Sequence, residues 1–209
     1  MKVILTALII TGGLGPAAAY GGFEPERVSV GGRIVYNTWL GEIDAETVSE
    51  SRSGAGVTLE GRYRVSPELE AGAEIGYLPW YRYDFRFTAV DVFLQPREVT
   101  AEVSYYSIPV MGTVRYSFPD AAGSGFTPRV EGAFGFHRTV SRYRERINGV
   151  DFSTVTRSLY PALGLGGGVE YRVNDSWAAD LNLRFTFVLT PGGASSLITP
   201  GAGVSWRFF

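Results

Sequence analysis

The only histidine of this 209-residue chain, His137, is the side chain best suited to acid–base chemistry near neutral pH. Ser141, Glu145 and Asp151 follow it closely along the chain. A serine, an imidazole and a carboxylate that converge in space can carry out nucleophilic acyl transfer. Here the three groups are neighbours in sequence only, and a histidine at the rim of a polar network is the interpretation we favour. We therefore predict no catalytic site.

A glycine-rich stretch and the absence of cysteine bear on phosphate and metal chemistry. The stretch "GLGGGVEY" (164–171) lacks the Lys-Ser/Thr that follows the glycines of a phosphate-binding loop. Its glycines are better suited to tight packing within a curved strand. The chain contains no cysteine, which excludes a disulfide framework and a cysteine-based metal site. We expect no cofactor and no metal.

Most charged side chains occupy every second position of otherwise apolar stretches. In "GVTLEGRYRV" (56–65), apolar residues or glycine alternate with Thr58, Glu60, Arg62 and Arg64. This period of two predicts a β-strand, and eight stretches follow it: 28–39, 56–65, 69–77, 108–118, 128–137, 163–172, 177–187 and 202–208. The first fits less well, because Val35 and Trp39 share a face with Arg33.

The alternating charges form a set that would be costly to bury unpaired. We predict that they fill a narrow barrel lumen as a network of ion pairs. Its members are Arg33, Glu60, Arg62, Arg64, Glu70, Glu74, Arg115, Arg129, Glu131, Glu170, Arg172, Asp180, Arg184 and Arg207.

The connections between these strands alternate in length. Residues 40–53, 80–102, 138–158 and 189–199 are read as long connections, whereas 66–68, 119–126 and 174–176 are shorter. This asymmetry and the even strand number are typical of an all-β, eight-stranded antiparallel up-and-down transmembrane β-barrel.

The polarity of the barrel is a separate question, since a soluble exported barrel would have an apolar lumen instead. Aromatic residues at both strand ends favour the membrane form, because transmembrane barrels carry two interfacial girdles. The predicted girdles are Tyr63, Tyr116, Phe118, Tyr171, Trp177, Trp206 and Phe208 at one end, and Tyr36, Tyr77, Phe136 and Phe187 at the other.

The two termini predict export and assembly. Residues 1–19 combine Lys2, an apolar run and a small-residue site ending at Ala19, which is typical of a signal peptide. Residues 20–209 are then the barrel domain. The chain closes in alternating aromatics, and we predict that Val204, Trp206, Phe208 and Phe209 form a C-terminal assembly signal.

Three segments carry a resemblance to a known family. "YYSIPVMGTVRYSF" (105–118) and "TPRVEGAFGFH" (127–137) resemble the small outer-membrane β-barrel domain family, and "VSWRF" (204–208) is similar to the closing strand of the outer membrane protein A barrel. The resemblance implies a bacterial outer-membrane protein, and together with the absence of a convincing catalytic set we expect no enzymatic activity. Its implied partners are outer-membrane lipid, the barrel assembly machinery and periplasmic chaperones. Alternatives are a small-solute or ion channel and, using His137, a lipid A-modifying hydrolase.

The long connections are the predicted place of function, in surface binding, adhesion or envelope integrity, because binding residues concentrate on loops held by a rigid scaffold. Asn148-Gly149 predicts a hairpin tip, so strands five and six would continue beyond the bilayer. The hairpin would present Arg142, Tyr143, Arg144 and Arg146 to an extracellular protein or polyanion. The formal net charge of −2 disfavours nucleic acid as a ligand, and we expect a monomer.

Overall fold

The computed structural model describes residues 27–40, 52–90, 96–118, 125–147, 150–191 and 193–208. Within them, eight antiparallel strands close into a barrel in which each strand pairs with its sequence neighbours and the first pairs with the last. The strands are β1 (Val28–Leu40), β2 (Ser53–Arg64), β3 (Leu69–Val90), β4 (Pro96–Ser117), β5 (Phe126–Ile147), β6 (Val150–Arg172), β7 (Trp177–Thr190) and β8 (Gly193–Arg207). The predicted eight-stranded up-and-down barrel is confirmed.

The alternation within each strand separates an apolar outer face from a polar inner face. On β2, Val57 and Leu59 are 51% and 63% exposed, whereas Thr58 and Glu60 are buried in the lumen. The outer face also exposes Tyr36, Tyr77, Phe136 and Phe187 towards one end, and Tyr116, Phe118, Tyr171, Trp177 and Trp206 towards the other. This polarity is the reverse of a soluble ligand-carrying barrel and suits lipid contact. No helix in the described part of the chain is long and apolar enough to cross a membrane.

Residues 80–102 and 189–199, predicted as long connections, are largely strand in their described parts, which corrects that prediction. Residues 138–158 are also largely strand, in agreement with the predicted continuation of strands five and six. Strands β3, β4 and β5 have 22 residues each and β6 has 23, so residues 80–90, 96–102, 138–147 and 150–158 lie in strands. Residues 193–199 belong to β8. One face of β4 stays buried at Val99 and Ala101, but in residues 138–158 both faces of the strands carry mostly polar side chains. The apolar–polar contrast that defines a strand in sequence is therefore weak there, while the backbone pairing persists.

Strands β3 to β6 therefore continue past the barrel as a four-stranded sheet, here called the extension (residues 78–90, 96–107, 138–147 and 150–161). Pairing between β2 and β3 ends at Val57–Tyr77, and pairing between β6 and β7 ends at Ala162–Val188. The predicted continuation of strands five and six is confirmed up to the Ile147–Val150 pair. The predicted tip, Asn148-Gly149, lies outside the described residues.

The extension is tall and its first strand is irregular. The 12 residues from Val150 to Pro161 rise about 30 Å at a strand tilt near 40°. A register shift between Pro79 and Tyr81 adds one residue to β3. This shift reverses the alternation of β3, so Arg82 pairs with Ser104 on the outer face of the sheet.

Candidate functional site

The lower lumen, on the side of the short turns, is filled by a charged layer. Five arginines and five carboxylates are each less than 9% exposed: Arg33, Arg62, Arg115, Arg129 and Arg184 with Glu60, Glu70, Glu74, Glu131 and Asp180. Every second residue of a strand faces inward, and small residues on β6 (Gly164, Gly166, Gly168) leave room for the long side chains. The equal numbers of cations and anions make the buried set formally neutral.

Ion pairs cross this layer in several directions. The Nε of Arg33 donates to Asp180 at 3.0 Å, and its Nη2 lies 3.0 Å from Glu60. Arg184 forms a bidentate ion pair with Glu74 and also contacts Glu131. Nη2 of Arg115 donates to Glu131 at 2.7 Å. Each charge has two or more partners of opposite sign, which offsets part of the cost of removing it from water.

The remaining members of the predicted network lie at the turn-side rim. Arg207 donates to Glu170 at 2.6 Å, and Arg129 donates to the same carboxylate at 3.1 Å. Arg64 is 4.0 Å from Glu70 and about a third exposed. Arg172 is exposed and makes no ion pair within the described part of the chain. The structure thus places twelve of the fourteen charges in close contact, with Arg64 and Arg172 at the edge.

An apolar layer that the alternation of charges did not predict closes the upper lumen. Its buried members are Val35, Trp39, Leu78, Met111, Ala133, Ala162, Val188 and Leu197, with Tyr105 and Tyr160 packed against them. In the sequence, this layer was indicated only by Val35 and Trp39, which share the inward face of the first strand with Arg33. Between the two layers lies a cavity of about 20 Å³, lined in part by Thr58, His137 and Thr186. It has room for a water molecule and not for a solute.

His137 is buried between the charged layer and the apolar layer, and it is not part of a catalytic triad. It is 2% exposed, and its Nδ1 lies 3.4 Å from the Ser107 hydroxyl. Ser141 is four residues further along the same extended strand, about 13 Å away. Asp151 pairs with Arg146 on the opposite face of the sheet. The structure does not bring the candidate triad together, and no group of acidic or histidine side chains in the described residues could hold a metal ion.

The extension places the predicted contact residues on two different faces. Arg142, Arg144 and Arg146 alternate along β5 on its outer face, with Arg144 3.9 Å from Glu102 and Arg146 3.1 Å from Asp151. Tyr143 lies on the opposite face, on the same side of β5 as Glu145. Partial burial and the Glu145 carboxylate raise the pKa of Tyr143, so this phenol stays neutral at physiological pH.

The closing strand joins the first strand through its aromatic end. Val204 and Trp206 face outward, and the ring centroids of Trp206 and Phe208 are 4.2 Å apart. The backbone N–H of Phe208 donates to the Val28 carbonyl at 3.1 Å. Phe209 lies outside the described residues, as does the predicted signal peptide.

A closed barrel with an apolar outer face, aromatic ends and a charge-filled lumen defines an outer-membrane β-barrel protein. Comparison with known families agrees with this class. The chain belongs to the outer membrane protein beta-barrel domain family, whose model matches residues 5–208. It is therefore a protein of the bacterial outer membrane.

Comparison with solved structures finds similar outer-membrane proteins. Neisserial surface protein A (NspA) is 16% identical, with 87% of this chain and 97% of that chain covered and a TM-score of 0.55. Ail of Yersinia pestis is 14% identical, with 86% and 98% covered and a TM-score of 0.44. The N-terminal barrel domain of Pseudomonas aeruginosa OprF is 15% identical, with 86% and 97% covered and a TM-score of 0.43. No curated protein sequence matches this chain.

Proposed function

We propose that this protein is a non-enzymatic surface-binding barrel that presents the extension to an extracellular protein or polyanion. The observation that carries the proposal is the extension itself, a paired sheet that rises about 30 Å beyond the barrel. Its outer face carries Arg142, Arg144 and Arg146 in a row on β5. Arginine guanidinium groups suit sulfate, phosphate and carboxylate ligands because they offer several donors in a fixed plane.

The open edge of β6 adds a second means of recognition. Residues 150–161 pair with β5 on one side and with no other strand in the described residues, and most of their side chains are exposed. An unpaired strand edge can add an extended peptide through backbone hydrogen bonds. The arginine row and this edge belong to the same hairpin, which favours the hairpin as the contact element.

The filled lumen disfavours the alternative of a channel. A solute would have to pass both the apolar layer at Trp39 and Leu197 and the ion pairs around Arg33. The buried position of His137, remote from Ser141 and Asp151, likewise disfavours a hydrolase. A barrel plugged in this way serves as a scaffold.

The proposal is tested by removing the hairpin while leaving the barrel intact. Residues 140–155 are replaced by a short Gly/Ser turn, and binding of whole cells to a sulfated polysaccharide and to extracellular-matrix proteins is measured. We expect the barrel to remain heat-modifiable on gels, since the ion pairs of the lumen are untouched, while binding is lost.

Point variants refine this test. The triple change Arg142→Gln, Arg144→Gln and Arg146→Gln keeps the hairpin and removes its charge, so we expect polyanion binding to fall. The control, Thr154→Gln with Thr156→Gln, alters the opposite face of the same hairpin and leaves binding unchanged. Binding at full strength after hairpin replacement would show that this hairpin is not the recognition element.

A further inference from the structure

The outer face of β5 and β6 changes from apolar to basic at one level. From Phe126 to Phe136 on β5, and from Tyr171 to Leu159 on β6, no outward position carries a charge. Ten residues of tilted strand rise about 25 Å, which is the height of the apolar band of an outer-membrane barrel. Arg138 and Arg157 are the next outward residues, so they lie where the lipid head groups of the outer leaflet begin.

Three arginines surround one buried side chain at this level. Val140 pairs with Arg157 across the strands, and Arg138 and Arg142 are its outward neighbours along β5. Although Val140 occupies an outward position, it is only 3% exposed. Its same-face neighbours are these arginines and Tyr106, and we attribute its burial to their stems, since arginine packs its aliphatic part on apolar surface while the guanidinium stays free. We call Arg138, Arg142 and Arg157 the basic cluster.

The basic cluster is not neutralised by the protein. Among the described residues, no carboxylate forms an ion pair with Arg138, Arg142 or Arg157. The arginines higher on the same face differ, because Arg144 has Glu102 and Arg146 has Asp151. Three like charges at neighbouring positions of one face, without a counter-charge, repel each other, and a bound anion relieves this repulsion.

We propose that the basic cluster binds the phosphate group of an outer-leaflet glycolipid. Two or three guanidinium groups can share one phosphate through charge-assisted hydrogen bonds. Directly below, the exposed side chains of Phe136 and Leu159 offer an apolar surface to the acyl chains of the same lipid. The basic cluster lies at the upper border of the lipid-facing apolar surface. This arrangement suits an amphiphile, which has a charged head and apolar chains, better than a soluble anion, so the ligand is a membrane lipid. This proposal does not depend on an extracellular partner for the hairpin tip.

The experiment measures lipid binding by purified protein in neutral detergent, using native mass spectrometry. The probes are diphosphorylated lipid A and the same lipid stripped of phosphate. The variant is Arg138→Gln with Arg157→Gln, and the matched control is Arg82→Gln with Arg86→Gln, which removes two arginines from the outer face of β3 in the same extension. We expect the variant to lose about tenfold or more in affinity for the phosphorylated lipid, the control to bind as the parent does, and the dephosphorylated lipid to bind weakly to all three.

Several outcomes would overturn the proposal. An equal loss in the control would show general electrostatic attraction rather than a site. Inorganic pyrophosphate that displaces the lipid at equal concentration would show a soluble-anion site. Heat-modifiability of each variant checks that the barrel is folded, and Arg142→Gln alone is a milder variant for which we expect a smaller loss. Unchanged binding in both the double and the single variant would also refute the proposal.

Discussion

Arg184 on β7 and Glu74 on β3 face each other across the lumen in a two-pronged ion pair, with Nη1 to Oε1 at 2.6 Å and Nη2 to Oε2 at 2.9 Å. The two strands are four positions apart in a ring of eight, so the pair joins opposite walls of the barrel. Arg184 also contacts Glu131 on β5. One guanidinium thus compensates two buried carboxylates that come from distant parts of the sequence.

The first prediction is that Arg184→Met strongly destabilises the barrel. The change leaves Glu74 and Glu131 short of a counter-charge in a closed lumen, and breaking a buried pair in this way costs about 3–5 kcal/mol. Urea unfolding in lipid vesicles measures the loss. The control, Arg146→Met, breaks an ion pair whose side chains are about 60% exposed and should cost less than about 1 kcal/mol. Equal stability of Arg184→Met and the parent would indicate a hydrated, screened lumen.

The strands within the membrane were predictable because lipid and lumen impose opposite demands on alternate residues. Val57 and Leu59 had to face outward, and Glu60 and Arg62 inward, whatever the rest of the chain did. The extension was not recognised as strand over its whole length because much of it is polar on both faces, even though Val99 and Ala101 of β4 are buried. Where both paired residues are polar, as at Arg142 and Ser104, the backbone pairing leaves no periodic hydrophobic signal.

The lumen was harder to predict than the strands. Alternation shows that Arg33 and Glu60 point inward but not which cation meets which anion, since Arg33 and Asp180 are 147 residues apart. The apolar layer was not predicted because apolar residues on the inward face break the expected alternation of outward apolar and inward polar residues. They were therefore interpreted as a poor fit to the strand pattern. Val35 and Trp39 were such residues, and their partner Leu197 lay in a segment interpreted as a connection.

A second prediction concerns the glycines of β6. A Cβ added at Gly168 would meet the backbone carbonyl of Leu181 on β7, which cannot move aside as a side chain can. Gly168→Ala should therefore push the β6–β7 pair apart and lower the midpoint of thermal unfolding. At Gly132, on the outer face of β5, an added Cβ has nothing within 4 Å, so Gly132→Ala should be neutral or slightly stabilising. Similar unfolding midpoints for both variants would contradict this account.

A third prediction concerns assembly. Deleting Phe208 and Phe209 removes the ring that contacts Trp206 and the hydrogen bond from Phe208 to Val28 where β8 meets β1. We expect less protein in the outer membrane and more protease-sensitive chain in the periplasm, measured by fractionation and immunoblotting. Deleting Phe209 alone is the control that shows which of the two aromatics carries the effect. A normal outer-membrane yield for the double deletion would refute a terminal assembly signal.

The last prediction follows from the two layers that close the lumen in series. Trp39→Ala with Met111→Ala thins the apolar layer, and Glu74→Ser with Arg184→Ser opens the charged layer without changing its net charge. Because ions must pass both layers, either pair of changes alone should leave the barrel non-conducting in planar lipid bilayers. The four changes combined should give measurable ion conductance, provided that the variant remains heat-modifiable. Ile34→Ala with Leu59→Ala removes side-chain volume from the lipid-facing side only and should not conduct. Conductance from either single-layer variant would show that the other layer is not a barrier, and conductance from the parent would favour the channel over the plugged scaffold.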